Sequence, residues 1–212
     1  MLLSPTLPVG GYSFSHGLES AVAQGLVTNA QQAQDWIGGI GARMLVHLDL
    51  PILLRLLSAL AQQDRHRAAD WNDYLLASRE SAELLAEDQH LGTALDRLRP
   101  AWQLPAVDAP LPGHTSFAAS FAEICTDWHI AHHEAATAYA WIWFENQVAA
   151  AVKLVPLGQS AGQALLLTLC EQLESLVVQA KTIDDDQLGA GMPGLAMISS
   201  AHEQLHGRIF QS

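Results

Sequence analysis

The chain has 212 residues, half of them hydrophobic and 15% charged, with 22 acidic against 10 basic side chains and a formal charge of −12. That length supports one domain with a sizeable core or two small ones, and the hydrophobic excess suggests apolar surface reserved for partners. So acidic a surface repels phosphate backbones, which argues against nucleic-acid binding.

The opening "MLLSPTLPVGG" lacks the basic start and long apolar run of a secretory signal. "PVGGYSFSHG" reads as a Gly-Gly turn leading into a short helix; it contains neither G-x-G-x-x-G nor G-x-S-x-G. From Ala30, the residues Ala33, Trp36, Ile37, Ile40 and Met44 recur at helical spacing, and Thr28 with Gln31 suggests a capping box. Pro51 suits the first turn of a separate helix through "PILLRLLSALAQQ". "WNDYLLASRESAELLAEDQHLGTALDRL" continues the helical pattern up to Pro100.

"RPAWQLPAVDAPLPGHTS", with prolines at 100, 105, 110 and 112, is the clearest loop and is expected to be a long connection within one domain. Helical segments follow. The most apolar window, "AATAYAWIWFENQVAAAVKLV", is broken by Glu145, Asn146 and Gln147, which fits a buried core helix better than a membrane span. Leu165, Leu169, Leu173, Leu176, Val177 and Ala180 form a further stripe, with Ser160 and Gln163 as its expected capping box. "IDDDQLGAGMPG" reads as a flexible acidic loop before a short final helix or tail. Cys125 and Cys170 lie in apolar helical stretches and read as reduced thiols of a cytosolic protein. The fold class is all-α: a single-domain helical bundle of roughly eight to ten helices over 1–212.

Two stretches invite a metal. "HEQLH" (His202, Glu203, His206) has the H-E-x-x-H spacing of zinc peptidases, in which two histidines share a helix face and the glutamate activates a water. A zinc-dependent hydrolase is therefore the alternative reading, but a third ligand is missing from the sequence around it. "DWHIAHHEA" gathers Asp127, His129, His132, His133 and Glu134, with His129 and His133 on one face if helical. No G-x-x-x-x-G-K-[ST] phosphate loop occurs. The residues thus describe a binding protein rather than an enzyme, with no cofactor and no metal site assigned.

Three separated stretches, "SPTLPVGGYSFSHGLESAVAQGLV", "AVKLVPLGQSAGQALL" and "AHEQLHGRIFQS", together resemble one family, the UreF urease accessory proteins. "SPTLPVGGYSFSHGLESAVAQGLV" is similar to that family's L-P-V-G-G-[FY]-[ST]-[FYW]-S-x-G-L-E opening. "AVKLVPLGQSAGQALL" resembles its V-K-L-V-P-[LF]-G-Q segment, and "AHEQLHGRIFQS" its R-H-E-x-Q-Y-S-R-L-F-x-S terminus. Here Ala201 replaces the usual Arg, and His206-Gly207 the usual Tyr-Ser. The resemblance implies a cytoplasmic, homodimeric, non-catalytic scaffold. It would form a complex with UreD (also called UreH) and the GTPase UreG on apo-urease, coupling GTP use to nickel insertion at a carbamylated lysine of urease.

Carried onto this sequence, the resemblance places Glu19 and Lys153 on the GTPase side and Tyr12 at a dimer or partner contact. A flexible docking tail from about residue 183 would carry His202, Glu203, Arg208, Phe210 and Ser212 to the UreD/UreH side. Phe210 would be its apolar anchor and Arg208 its partner for a carboxylate.

Overall fold

The computed structural model describes residues 2, 9–105, 111, 113–189 and 191–211. Ser212, Leu7, Pro8, Pro110 and Pro112 lie outside them. Among the described residues every regular element is helical, as the sequence leads one to expect.

After a 3-10 turn at Gly11–Ser13 come α1 (Leu18–Ala23) and α2 (Ala30–Ile40). A π-helical stretch, Gly41–Asp49, joins α2 to α3 (Leu50–Ala61) without a break. Then follow α4 (Arg65–Ala77), α5 (Ala82–Asp96), α6 (Phe117–Asp127), α7 (His132–Leu154), α8 (Gln159–Cys170), α9 (Leu173–Ala180) and α10 (Pro193–His202). Side-chain oxygens at Asn29, Asp64, Ser81 and Ser116 each accept the backbone N–H three residues on, fixing where α2, α4, α5 and α6 begin.

Several expected boundaries move. Asn29, not Thr28, caps α2; the Gln32 side chain reaches back to the Thr28 N–H and hydroxyl at 2.8 Å. Pro51 starts no new helix. Proline has no N–H to donate and crowds the carbonyl four residues back, and the wider π turns before it relieve that crowding, with the Leu50 N–H reaching Leu45 O. The Ser160 and Gln163 pair forms no cap, because α8 starts at Gln159 behind Gly158. Helicity also stops between α4 and α5, where Arg79 turns inward.

Among the described residues the continuous helix Ala30–Ala61, rather than α7, is the one long and apolar enough to cross a membrane, with a mean hydropathy of 1.7 in its richest window. That window is 72% buried within the fold, so its apolar side chains already have protein neighbours. α3 is central and packs on α4, α6 and α7, burying Ile52, Leu53, Leu56 and Leu57. α6 buries every residue from Phe117 to Cys125, and small side chains there allow close approach. A Cβ on Gly92 of α5 would lie 2.2 Å from Thr115 O, so only glycine fits where α5 meets the α6 entry. One hydrophobic cluster runs from Leu2 to Phe210, so the residues before and after the proline-rich stretch build the same core.

Within that core Arg79 is buried between two carboxylates, 2.6 Å from Asp49 and 2.8 Å from Asp88. Asp88 also accepts the Phe117 N–H at 2.7 Å, tying the ion cluster to the start of α6. Burial pushes the Asp88 carboxyl up despite the neighbouring guanidinium; burial also works against the Arg79 charge, but Asp49 and Asp88 outweigh it and hold Arg79 firmly protonated.

Candidate docking site around the C-terminal segment

The glycines of the opening motif shape one edge of the site. Gly10 and Gly17 take left-handed backbone at φ 77° and 79°, turning the chain into and out of the Gly11–Ser13 turn. Gly17 also lets α10 sit close, since a Cβ there would come within 3.2 Å of Leu195 Cδ1. α1 therefore packs on both α10 and α7, and its first turn carries Glu19 into the seam between them.

Glu19 is buried and fully engaged. One carboxylate oxygen accepts the Ile209 N–H at 2.8 Å; the other accepts the Phe210 N–H at 3.0 Å and lies 2.9 Å from His202 Nε2. Burial alone would raise its carboxyl, but the bonds from His202, Ile209 and Phe210 win and hold it below the ordinary carboxylate range. His202, completely buried at the end of α10, has its other ring nitrogen on Glu83 of α5, 3.1 Å from Oε1 and 3.0 Å from Oε2. The shorter approach, to Oε2, is an ion contact without hydrogen-bond alignment, since that oxygen accepts no hydrogen bond. Arg208 Nη1 adds a 3.2 Å bond to Glu83 Oε1, and the Gln211 N–H donates to Ser13 O at 2.8 Å.

Lys153, exposed near the end of α7, closes the other side. Its ammonium lies 5.2 Å from the Phe210 ring and 5.6 Å from the Tyr12 ring, within cation–π range, and 3.5 Å from Tyr12 O. Phe210 is buried beneath it, whereas Tyr12 is 57% and Ile209 67% exposed.

Residues expected on two separate surfaces thus converge on one place: Tyr12, Glu19 and Lys153 meet His202, Arg208 and Phe210. Glu19, His202 and Phe210 face inward; Tyr12, Lys153, Glu203 and Arg208 face solvent. Glu83, within the mid-chain helical stretch, joins the site without a sequence signal of its own. No local pattern marks it, because its partners His202 and Arg208 lie 119 and 125 residues away.

The zinc-peptidase geometry is not formed. α10 ends at His202, so His206 sits in a turn beyond the helix and does not share its face. Both ring nitrogens of His202 already contact carboxylates from opposite sides. The second histidine cluster is split as well: α6 ends at Asp127, His129 takes left-handed backbone, and α7 begins at His132. Asp127 pairs with Arg99, while His133 lies between Glu174 and Lys181. Among the described residues no group of three His, Cys, Asp or Glu side chains is arranged to hold a metal ion. Both cysteines are free, and burial pushes the Cys125 thiol up to about 12, too high for a reactive thiolate.

A cavity of about 50 Å³ lies behind the opening segment, lined in part by His16, Met44, Glu87 and Gln147. The site combines a buried carboxylate, Glu19, that accepts two backbone N–H groups with an ammonium, Lys153, set over two aromatic rings.

The model of the UreF family matches residues 27–170, more than half of the chain. A relative from Teredinibacter turnerae, named urease accessory protein UreF, is 44% identical over 211 residues, covering all of this chain and 96% of the relative. Relatives of the same name from Alkalilimnicola ehrlichii and Hahella chejuensis are 44% and 38% identical, covering the whole chain and 93% and 95% of their own lengths. These full-length alignments take in the opening motif and the C-terminal segment, which lie outside the family-model match. The chain belongs to the UreF family.

Proposed function

We propose that this chain is a non-catalytic, cytoplasmic urease accessory scaffold. It joins a UreD/UreH-type protein and a UreG-type GTPase on apo-urease, and couples GTP hydrolysis to nickel insertion. The observation that carries this reading is the convergence of Tyr12, Lys153 and the C-terminal segment on one exposed rim above buried Glu19 and His202. Tyr12, Lys153 and Ile209 offer the aromatic, cationic and apolar contacts that partner surfaces use. The relatives' printed name supplies the urease context.

In this reading the UreD/UreH-type partner takes the segment from about residue 183, with Glu203 and Arg208 as its outward polar contacts. Ser212, matched through the resemblance alone, belongs to the same segment. The GTPase meets the Lys153 face, where Glu19 contributes by holding the backbone beneath. Tyr12 serves the homodimer or the partner.

Co-purification of the tagged full-length chain with UreD- and UreG-type proteins tests the proposal. Deletion after Leu205 is the informative truncation, because it spares α10, which packs on α1 and α5. The three-way complex is expected to be lost; a complex surviving that deletion would remove the tail from the docking site.

A further inference from the structure

Glu83 makes two of the contacts holding the end of the chain. It lies in the first turn of α5, where the helix N-terminus favours negative charge, and is 9% exposed. A single carboxylate oxygen, Oε1, takes both the His202 imidazole and the Arg208 guanidinium. Next to it, the Ser81 cap of the same helix lies 2.8 Å from Ser199 Oγ, so the start of α5 grips α10 at two successive turns.

His202 faces a carboxylate at each ring nitrogen, so the two glutamates act as one unit through a shared ring. Beyond the ring, Glu19 fixes the Ile209 and Phe210 amides and Glu83 fixes Arg208.

We propose that Glu83 is a positioning residue for partner docking: through His202 and Arg208 it holds residues 208–210 in the shape that the partner reads. This rests on the docking function proposed above for the C-terminal segment. Glu83 itself touches no partner. It sets the arrangement that leaves Ile209 outward and Phe210 beneath Lys153, so the segment meets its partner with its conformational freedom already lost.

The experiment uses the full-length chain carrying Glu83→Gln, which keeps side-chain shape and removes the charge. Hydrogen exchange at the Ile209 and Phe210 amides should accelerate by at least about tenfold while α3 amides keep their parental rates. Affinity for an immobilised UreD/UreH-type partner should fall by about tenfold or more. Unchanged exchange at Ile209 and Phe210 would overturn the proposal, as would equal acceleration in α3, which marks general destabilisation.

A double variant with Glu19→Gln supplies a second criterion. Because both carboxylates act through His202, its exchange rate should fall short of the product of the single effects. A multiplicative result would place Glu83 outside the unit and also overturn the proposal. If the parental chain fails to bind the partner, the docking function fails, and the exchange measurements still decide on Glu83.

Discussion

Glu19 and His202, 183 residues apart in the chain, meet at 2.9 Å inside the protein and join its first helix to its last. The same carboxylate accepts two backbone N–H groups from the terminal segment. A charge placed in the opening motif is thereby committed to organising the other end of the molecule.

Glu19→Gln should loosen that end. The amide keeps one acceptor oxygen but cannot satisfy His202, Ile209 and Phe210 together, leaving buried donors unpaired. A stability loss of about 2 kcal/mol is expected in denaturant unfolding, with faster exchange at Ile209 and Phe210. A variant as stable as the parent would show that the carboxylate contributes no net energy there.

The pH dependence follows from the same group. Glu19 titrates below its ordinary value of 4.5 in the fold, so its contribution is complete above that value and is lost as pH falls through the folded one. Asp88 and Glu123, both pushed up by burial, act in the opposite sense, since their protonation relieves a cost. Thermal melts of the parent and Glu19→Gln from about pH 6 to about pH 3 should therefore converge at the acid end. Parallel curves would mean that Glu19 titrates alike folded and unfolded.

Lys153→Ala removes the cation shared by Tyr12 and Phe210 and should cost about 0.5–1 kcal/mol, while Lys153→Arg should retain most of it. Near-ultraviolet circular dichroism and unfolding midpoints would register the change. Equal losses in both variants would point to the lysine stem rather than its charge.

Arg79→Met strands Asp49 and Asp88 in the core without their cation. A cost of about 3–5 kcal/mol is expected, measured as a fall in the unfolding midpoint with helicity retained below it. A neutral substitution would mean that the Tyr139 hydroxyl on Asp49 and the Phe117 N–H on Asp88 satisfy the two acids without the guanidinium.

Gly92→Ala brings a Cβ to 2.2 Å from Thr115 O. The obstacle is backbone, which cannot swing aside, so α5 and the α6 entry must separate. A loss of about 3 kcal/mol or more is expected. Gly39→Ala, in α2 with nothing within 4 Å of the added Cβ, is the control and should raise stability by about 0.5–1 kcal/mol, since alanine is the better helix former.

Much of the helical plan was legible because it is local. Of the stripe Ala33, Trp36, Ile37, Ile40 and Met44 all but the half-buried Trp36 are buried, and Leu165, Leu169, Leu173, Leu176, Val177 and Ala180 are buried across α8 and α9. The Gly-Gly turn of the opening motif likewise leads into a short helix. What misled was also local. Thr28 and Gln31, Ser160 and Gln163, and Pro51 each carry a pattern that fits more than one backbone path, and neighbouring packing chose among them.

"HEQLH" illustrates the division most clearly. The sequence by itself determined an acidic, all-α chain of the UreF type, because periodicity, capping residues and motif spacing are properties of near neighbours. Only the tertiary structure decided that the helix stops at His202 and that Glu19 and Glu83 take its two ring nitrogens. Whether a buried histidine holds a metal or a carboxylate depends on which charges the fold brings opposite it. Those charges come from the far side of the chain, beyond the reach of any local pattern.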